Sequence, residues 1–205
     1  MTDVIEVHFP IIAGGSIPLD HRYILYSAIK GRVDSFGGRD GLPWQLLPIH
    51  GQRQGQLLEL RADKEHSVRL RIHKEHVGKC LKIHTDPLRL GNHLLILGEP
   101  TVKPIKPIYP LRADIVMVTS NKRDHGHRGK SFGAHIGKRL GVKLGHLDFG
   151  MKFGPRKTVH IAGNPIVGYS VEVHSLTEEE SVMLQSEGIG EGRTMGCGVF
   201  EGRDQ

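Results

Sequence analysis

The chain opens on an alternation of apolar and polar residues, VIEVHF from Val4 to Phe9, which predicts a strand. A loop, AGGSIP, separates it from LDHRYILYSAIKGRV. There Asp20 is a fair N-cap, and Ile24, Leu25, Ala28 and Ile29 form the apolar stripe of a helix. WQLLPIHG, LLELRA and SVRLRIH follow as short segments of strand composition with turn residues between them, and HLLILGEPTV adds another. The proline-spaced PTVKPIKPIYP predicts a connector rather than helix or sheet. The second half repeats the rhythm. ADIVMVTS predicts a strand, and FGAHIGKRLG a helix with Ile136 and Leu140 one turn apart and Gly141 at the C′ position. KTVHIAGNPIVGYSVEV predicts two strands around an Asn-Pro turn. In LTEEESVMLQSEG, Thr177 and Glu180 have capping-box spacing and Gly188 suits the C′ position. CGVFEG predicts the last strand. Both halves read strand, helix, strands, so the expected class is α+β: two ferredoxin-like βαββαβ units in tandem, over 1–105 and 106–205.

Composition fits that division, since 205 residues give two cores of about 100 residues each. No run of about 18 apolar residues offers a membrane span, and the N-terminus lacks the basic and apolar blocks of a signal peptide. Cys80 and Cys197 form no CxxC pair and read as reduced thiols of a cytoplasmic protein. The formal charge of +6 is localised: Asn121 to Lys157 holds ten Lys/Arg against Asp124 and Asp148, a balance of +8, leaving −2 for the rest. A polyanion-binding patch is the economical explanation. At 5% aromatic, the chain has little material for base-stacking platforms, which argues against a general single-strand binder.

The stretch GIGEGRTMGCGVF, Gly188 to Phe200, holds five glycines in thirteen residues. A dinucleotide fingerprint needs strand, glycines, then helix, and here the order is helix, glycines, strand. The stretch contains no G-K-[ST] to make it a P-loop, and the lone Cys197 has no ligand-spaced partners for zinc. A backbone N–H surface for phosphate remains, with Arg193 as the nearby charge; a plain turn would explain one or two of the glycines.

VGYSVEVHSLTEEESVMLQSEGIGEGRTMGCGVF resembles the C-terminal signature of CRISPR-associated RNA-processing endoribonucleases of the repeat-associated mysterious protein (RAMP) superfamily. FPIIAGGSIPLDHRYILYSAI and LLPIHG resemble the N-terminal signatures of the MYXAN-type branch of those enzymes. The resemblance runs from about Val4 to Gly202; LRLRIH and LILGEP carry it more weakly through the middle. It implies a RAMP-type fold in which the second unit carries the C-terminal glycine-rich loop. It implies cutting of precursor CRISPR RNA in the repeat by ribose 2′-OH attack, leaving a 2′,3′-cyclic phosphate and a 5′-hydroxyl. No metal or other cofactor is implied. The expected partners are the repeat hairpin, a retained guide RNA and other CRISPR-associated subunits, in a bacterial or archaeal cytoplasm. A non-catalytic repeat-RNA-binding subunit of a surveillance or transposition-guiding complex is the alternative.

Such chemistry requires a base for the 2′-OH, an acid for the 5′-oxygen and positive charge for the phosphorane. Histidine suits the first two roles, but fourteen histidines are too many candidates. The motif match makes His21 the first choice, and a helix N-terminus would keep it neutral. His50 in LLPIHG is the second, with a hydrogen-bonded structural histidine of the hairpin as its alternative. Tyr23 and Tyr26 share the first helix with His21, where a phenol would position the 2′-OH or phosphate and one of the two rings would otherwise belong to the core; Lys30 or Arg32 would supply charge. His66, His73, His76, His84 and His93 read as surface residues. For RNA contact the candidates are Lys122, Arg123, Arg128, Lys130, Lys138, Arg139 and Lys143, with Gly188, Gly190, Gly192, Arg193, Gly196 and Gly198 of the loop. The glycines of the basic segment weaken it as a helix, which predicts partial disorder there until RNA binds.

Overall fold

The computed structural model describes residues 2–33, 36, 43–61, 65–117 and 129–202. Two compact units divide the chain. The first comprises Met1–Ile105 with Val159–Asn164 and Thr194–Gly196; the second comprises Lys106–Thr158, Pro165–Arg193 and Cys197–Gln205.

In the first unit, β1 (Val4–Ala13), β2 (Ser16–Pro18) and α1 (Arg22–Lys30) lead to β3 (Trp44–Leu46), β4 (Gln52–Gln54), β5 (Leu57–Glu59) and β6 (Ser67–His73). The short α2 (Val77–Cys80), flanked by 3₁₀ turns, precedes β7 (Leu88–Leu90), β8 (His93–Leu97) and β9 (Thr101–Pro104). The main sheet is antiparallel in the order β3-β6-β1-β8-β7, with β9 also on β1, while β2, β5 and β4 form a small side sheet. Taking β9 as the fourth strand gives β3-β6-β1-β9, the arrangement of a ferredoxin-like βαββαβ unit. The alternation of β1 sets the two faces. Val7 and Phe9 are buried with Leu70, Ile72, Leu25 and Ile29, each large side chain contributing about 1.5–3 kcal/mol. On the other face, Glu6 takes His8 Nε2 at 2.7 Å and Arg71 Nε at 2.8 Å, with Arg69 at 3.9 Å. Burial alone would raise the Glu6 carboxyl, but the His8 hydrogen bond and the two arginines prevail and hold it at about 2.

Two expectations for this unit change. The N-cap of α1 is His21, without a side-chain cap bond, because the Asp20 carboxylate is taken by His160. Thr101–Pro104 of the proline-spaced segment is a strand, and 105–110 remain as connector. The strand pairs β1 alone, and an edge position tolerates its terminal Pro104.

The second unit runs β10 (Leu111–Met117), α3 (Gly129–Leu144), β11 (Gly150–Ile161), β12 (Asn164–His174), α4 (Glu178–Glu187) and β13 (Glu201–Gly202). Its sheet order, β11-β12-β10-β13, is again ferredoxin-like. Leu111 and Ala113 lie opposite Val173 and Val171, and pack with Ile136, Leu140, Leu184 and Phe200. The capping box of α4 is present: Glu180 N–H donates to Thr177 Oγ1 at 3.3 Å and Thr177 N–H donates to Glu180 Oε2 at 2.8 Å. Gly141 does not end α3. It is buried, where a Cβ would meet Leu147 Cδ2 at 2.3 Å, and Gly145 at φ +81 terminates the helix instead. The β11–β12 turn is Ala162-Gly163, at φ 49 and 81, a primed hairpin turn one step before the Asn-Pro pair.

Candidate active site

Asp20, His21 and Arg22, at the start of α1, reach three different segments of the first unit. Each reach is set by burial or by charge.

His21 is 4% exposed. Its Nδ1 donates to the Pro18 carbonyl at 3.2 Å, and its Nε2 accepts the Ile49 N–H at 3.3 Å. Burial first, and the Arg22 charge second, push the ring down to about 4, against the opposing pull of the Pro18 and Leu19 carbonyls and Asp20. The ring is therefore neutral at pH 7, chiefly through desolvation. Both nitrogens of His21, the first sequence candidate for the base, are engaged by backbone. It latches the turn before α1 to the segment after β3. Arg22, also buried, donates from Nη1 to the Gly196 carbonyl at 2.6 Å. Asp20 turns the other way. Its Oδ2 accepts the main-chain N–H of His160 at 2.8 Å and the His160 Nδ1–H at 2.9 Å.

The remaining sequence candidates separate by exposure. His50 is exposed next to the latched Ile49, and its carbonyl accepts His66 Nδ1 at 2.9 Å. Tyr26 is partly buried and stacks on Trp44 at 5.9 Å between ring centroids, and Tyr23 lies 6.2 Å from Tyr26. Lys30 sits 5.9 Å over the Tyr26 ring, whereas Arg32 is spent on the carbonyls of Ile83, Asp86 and Pro87.

The glycine loop is built for packing. Gly188, Gly196 and Gly198 are buried. A Cβ on Gly198 would lie 1.8 Å from Ile189 O, one on Gly190 2.6 Å from Met117 O, and one on Gly192 2.4 Å from Met117 Cε. At Gly196 it would meet Arg22 Nη1 at 2.8 Å. The sites that lack a side chain are thus filled by the protein's own atoms. Arg193 donates to the Glu187 carbonyl at 2.8 Å and closes the end of α4.

Of the basic candidates, Lys122, Arg123 and Arg128 lie outside the described residues, as does the expectation of partial disorder there, and Lys130 is placed on the first turn of α3. Lys138 is exposed and Arg139 half-buried on that helix, and Lys143 pairs with Glu187. Lys152 and Arg156 are exposed on β11, four residues apart and so on one face. Their charge belongs to the basic stretch of the sequence, but no local motif marks them as contacts. Among the described residues, no three His, Cys, Asp or Glu side chains are grouped to hold a metal ion. No helix among them is long and apolar enough to cross a membrane.

Two ferredoxin-like units in tandem give the chain a RAMP-type fold. The fold is similar to that of a RAMP protein that binds different RNA substrates, with TM-score 0.65 and 15% identity over 97% of this chain and 98% of that one. It is equally similar to the product of a Cas6-related gene of Pyrococcus furiosus, with TM-score 0.66 and 15% identity over 97% of each chain. The sequence is 32% identical over 197 residues to the CRISPR-associated endonuclease Cas6 of Myxococcus xanthus, covering 96% of this chain and 80% of that protein. The Cas6 CRISPR family model matches residues 5–205. The chain belongs to the Cas6 family of CRISPR-associated endoribonucleases.

Proposed function

We propose that the protein cuts precursor CRISPR RNA within the repeat, without a metal ion, by attack of the ribose 2′-oxygen on the adjacent phosphate. The products are a 2′,3′-cyclic phosphate and a 5′-hydroxyl, and the protein keeps the processed guide. The likeness to a CRISPR-associated endonuclease over 96% of the chain carries this reading. Its chemistry needs a proton acceptor and a proton donor near neutral pH, which exposed imidazoles supply. His50, solvent-facing beside the Ile49 latch, is the donor to the 5′-oxygen. Lys138, Arg139, Lys152 and Arg156 of the second unit hold the RNA backbone by charge, and Tyr23 orients a nucleotide beside α1. The test is incubation with the repeat hairpin of the host's own array in excess EDTA. Retained cleavage to a cyclic phosphate is expected. Tight binding with the RNA left intact would make the protein a repeat-binding subunit instead, and activity lost in EDTA and restored by a divalent ion would make it a metal nuclease.

A further inference from the structure

The first unit is completed by two distant pieces of chain, and one of them, Val159–Asn164, brings an imidazole to the Asp20 carboxylate. We propose that Asp20 and His160 form the catalytic dyad of the cleavage reaction, with His160 Nε2 as the base for the 2′-OH and Asp20 as its positioning residue. The inference rests on the processing reading above.

The geometry fits a base better than it fits a clip. A clip holding the hairpin turn to α1 would be complete with the main-chain N–H of His160, which reaches Asp20 Oδ2 at 2.8 Å. The ring adds Nδ1 to the same oxygen at 2.9 Å. That bond fixes the Nδ1–H tautomer and presents the Nε2 lone pair outward, on a side chain 59% exposed. The other carboxylate oxygen, Oδ1, is shielded from solvent and has no hydrogen-bond partner among the described residues. The hydrogen bonding of the Asp20 carboxylate is therefore spent on His160. His8, His76 and His174 also meet carboxylates, but through Nε2, the nitrogen a substrate would need. His21 ties the parts together. It is adjacent to Asp20 in the chain, and its ring holds Ile49, the neighbour of His50. One buried histidine thus anchors the supports of two exposed ones.

In the step, the 2′-OH proton passes to His160 Nε2 and the 2′-oxygen forms a bond to phosphorus. The bond from phosphorus to the 5′-oxygen breaks, and that oxygen leaves with a proton from His50. Afterwards His160 returns its proton to water and His50 takes one, so the protein is regenerated without an added reagent. A carboxylate that orients the ring and stabilises the imidazolium is a known way to make histidine a strong base in place.

The experiment is single-turnover cleavage of the host's repeat hairpin beside measurement of RNA affinity. His160→Ala is expected to slow cleavage about 100-fold or more while affinity stays within about three-fold, and free imidazole is expected to restore part of the rate. Asp20→Asn is expected to slow cleavage in the otherwise unaltered protein and to add nothing in the His160→Ala background, and the partial rescue by free imidazole at unchanged affinity is the readout that a structural role would not give. Cleavage by His160→Ala within about three-fold of the unsubstituted protein overturns the dyad and leaves the processing reading standing. Loss of cleavage in step with loss of affinity also overturns it, making His160 an RNA contact. Cutting of a hairpin carrying 2′-deoxyribose at the scissile nucleotide by the unsubstituted protein overturns the processing reading itself, and the dyad falls with it.

Discussion

Burial decides the chemistry of His21. Its folded value of about 4 lies below the ordinary 6.5, so the unfolded chain takes up the proton first as pH falls. The stability contributed by the neutral ring is complete above pH 6.5 and is lost as pH falls toward 4, at a rate approaching about 1.4 kcal/mol per pH unit. His21→Gln should cost about 1–3 kcal/mol near neutral pH through its broken backbone bonds and lack that share of the slope. Urea unfolding from about pH 7 to about pH 4 would measure both. Gly198 is a second residue whose environment decides its role. At φ +66, with Ile189 O only 1.8 Å from where a methyl carbon would sit, Gly198→Ala should be destabilising, by about 3 kcal/mol or more, read as a fall in Tm of the free protein. An unchanged Tm with weakened RNA binding would favour the phosphate role for the glycines. DHR could be seen in the sequence as a motif, but motif letters do not say which of three adjacent side chains is buried. That depends on partners at positions 18, 49, 160 and 196, which local pattern does not reach.

Elements whose signals are local follow the sequence most closely. For α4, Thr177 and Glu180 stand three residues apart and the box they make is closed by their own backbone. The first strand likewise keeps its alternation through Val7 and Phe9. Elements that rest on context depart from it. Thr101–Pro104 ends on a proline and forms an edge strand because β1 offers it a partner. The β11–β12 turn was hidden because Ala162 adopts φ 49, a conformation its side chain disfavours and the pairing of two long strands enforces. Here the expected outcome has the opposite sign from a usual substitution. Ala162→Asn, giving an Asn-Gly primed turn, should raise stability by about 0.5–1 kcal/mol, measured as a higher urea midpoint. A lower midpoint would mean that the turn adopts another conformation in solution.

At the scale of the whole molecule, the excess of +6 belongs to a stretch that includes α3 and the start of β11, and the remaining chain is nearly balanced. Affinity for RNA should therefore fall steeply with salt, each phosphate contact contributing about 0.7–0.9 to the slope of log affinity against log salt. Removing Lys138 and Arg139 together by alanine should flatten that slope by about 1.5, and an unchanged slope would place the RNA elsewhere. The tandem α+β plan was legible because both halves repeat one order of elements. The interleaving of the first unit was not, since contacts between residues 20 and 160 or 22 and 196 leave no trace in local periodicity. That interleaving has a consequence during translation. When Ile105 leaves the ribosome, the sheet of the first unit is present in full, yet neither the Gly196 carbonyl that receives Arg22 Nη1 nor the His160 imidazole that meets Asp20 has been made. Both arrive with residues 160 and 196, roughly 3 to 20 seconds later at usual elongation rates. The nascent first unit therefore has its sheet before it has these two contacts, and a chain that stops short of Gly196 lacks the bond from Arg22 to that carbonyl.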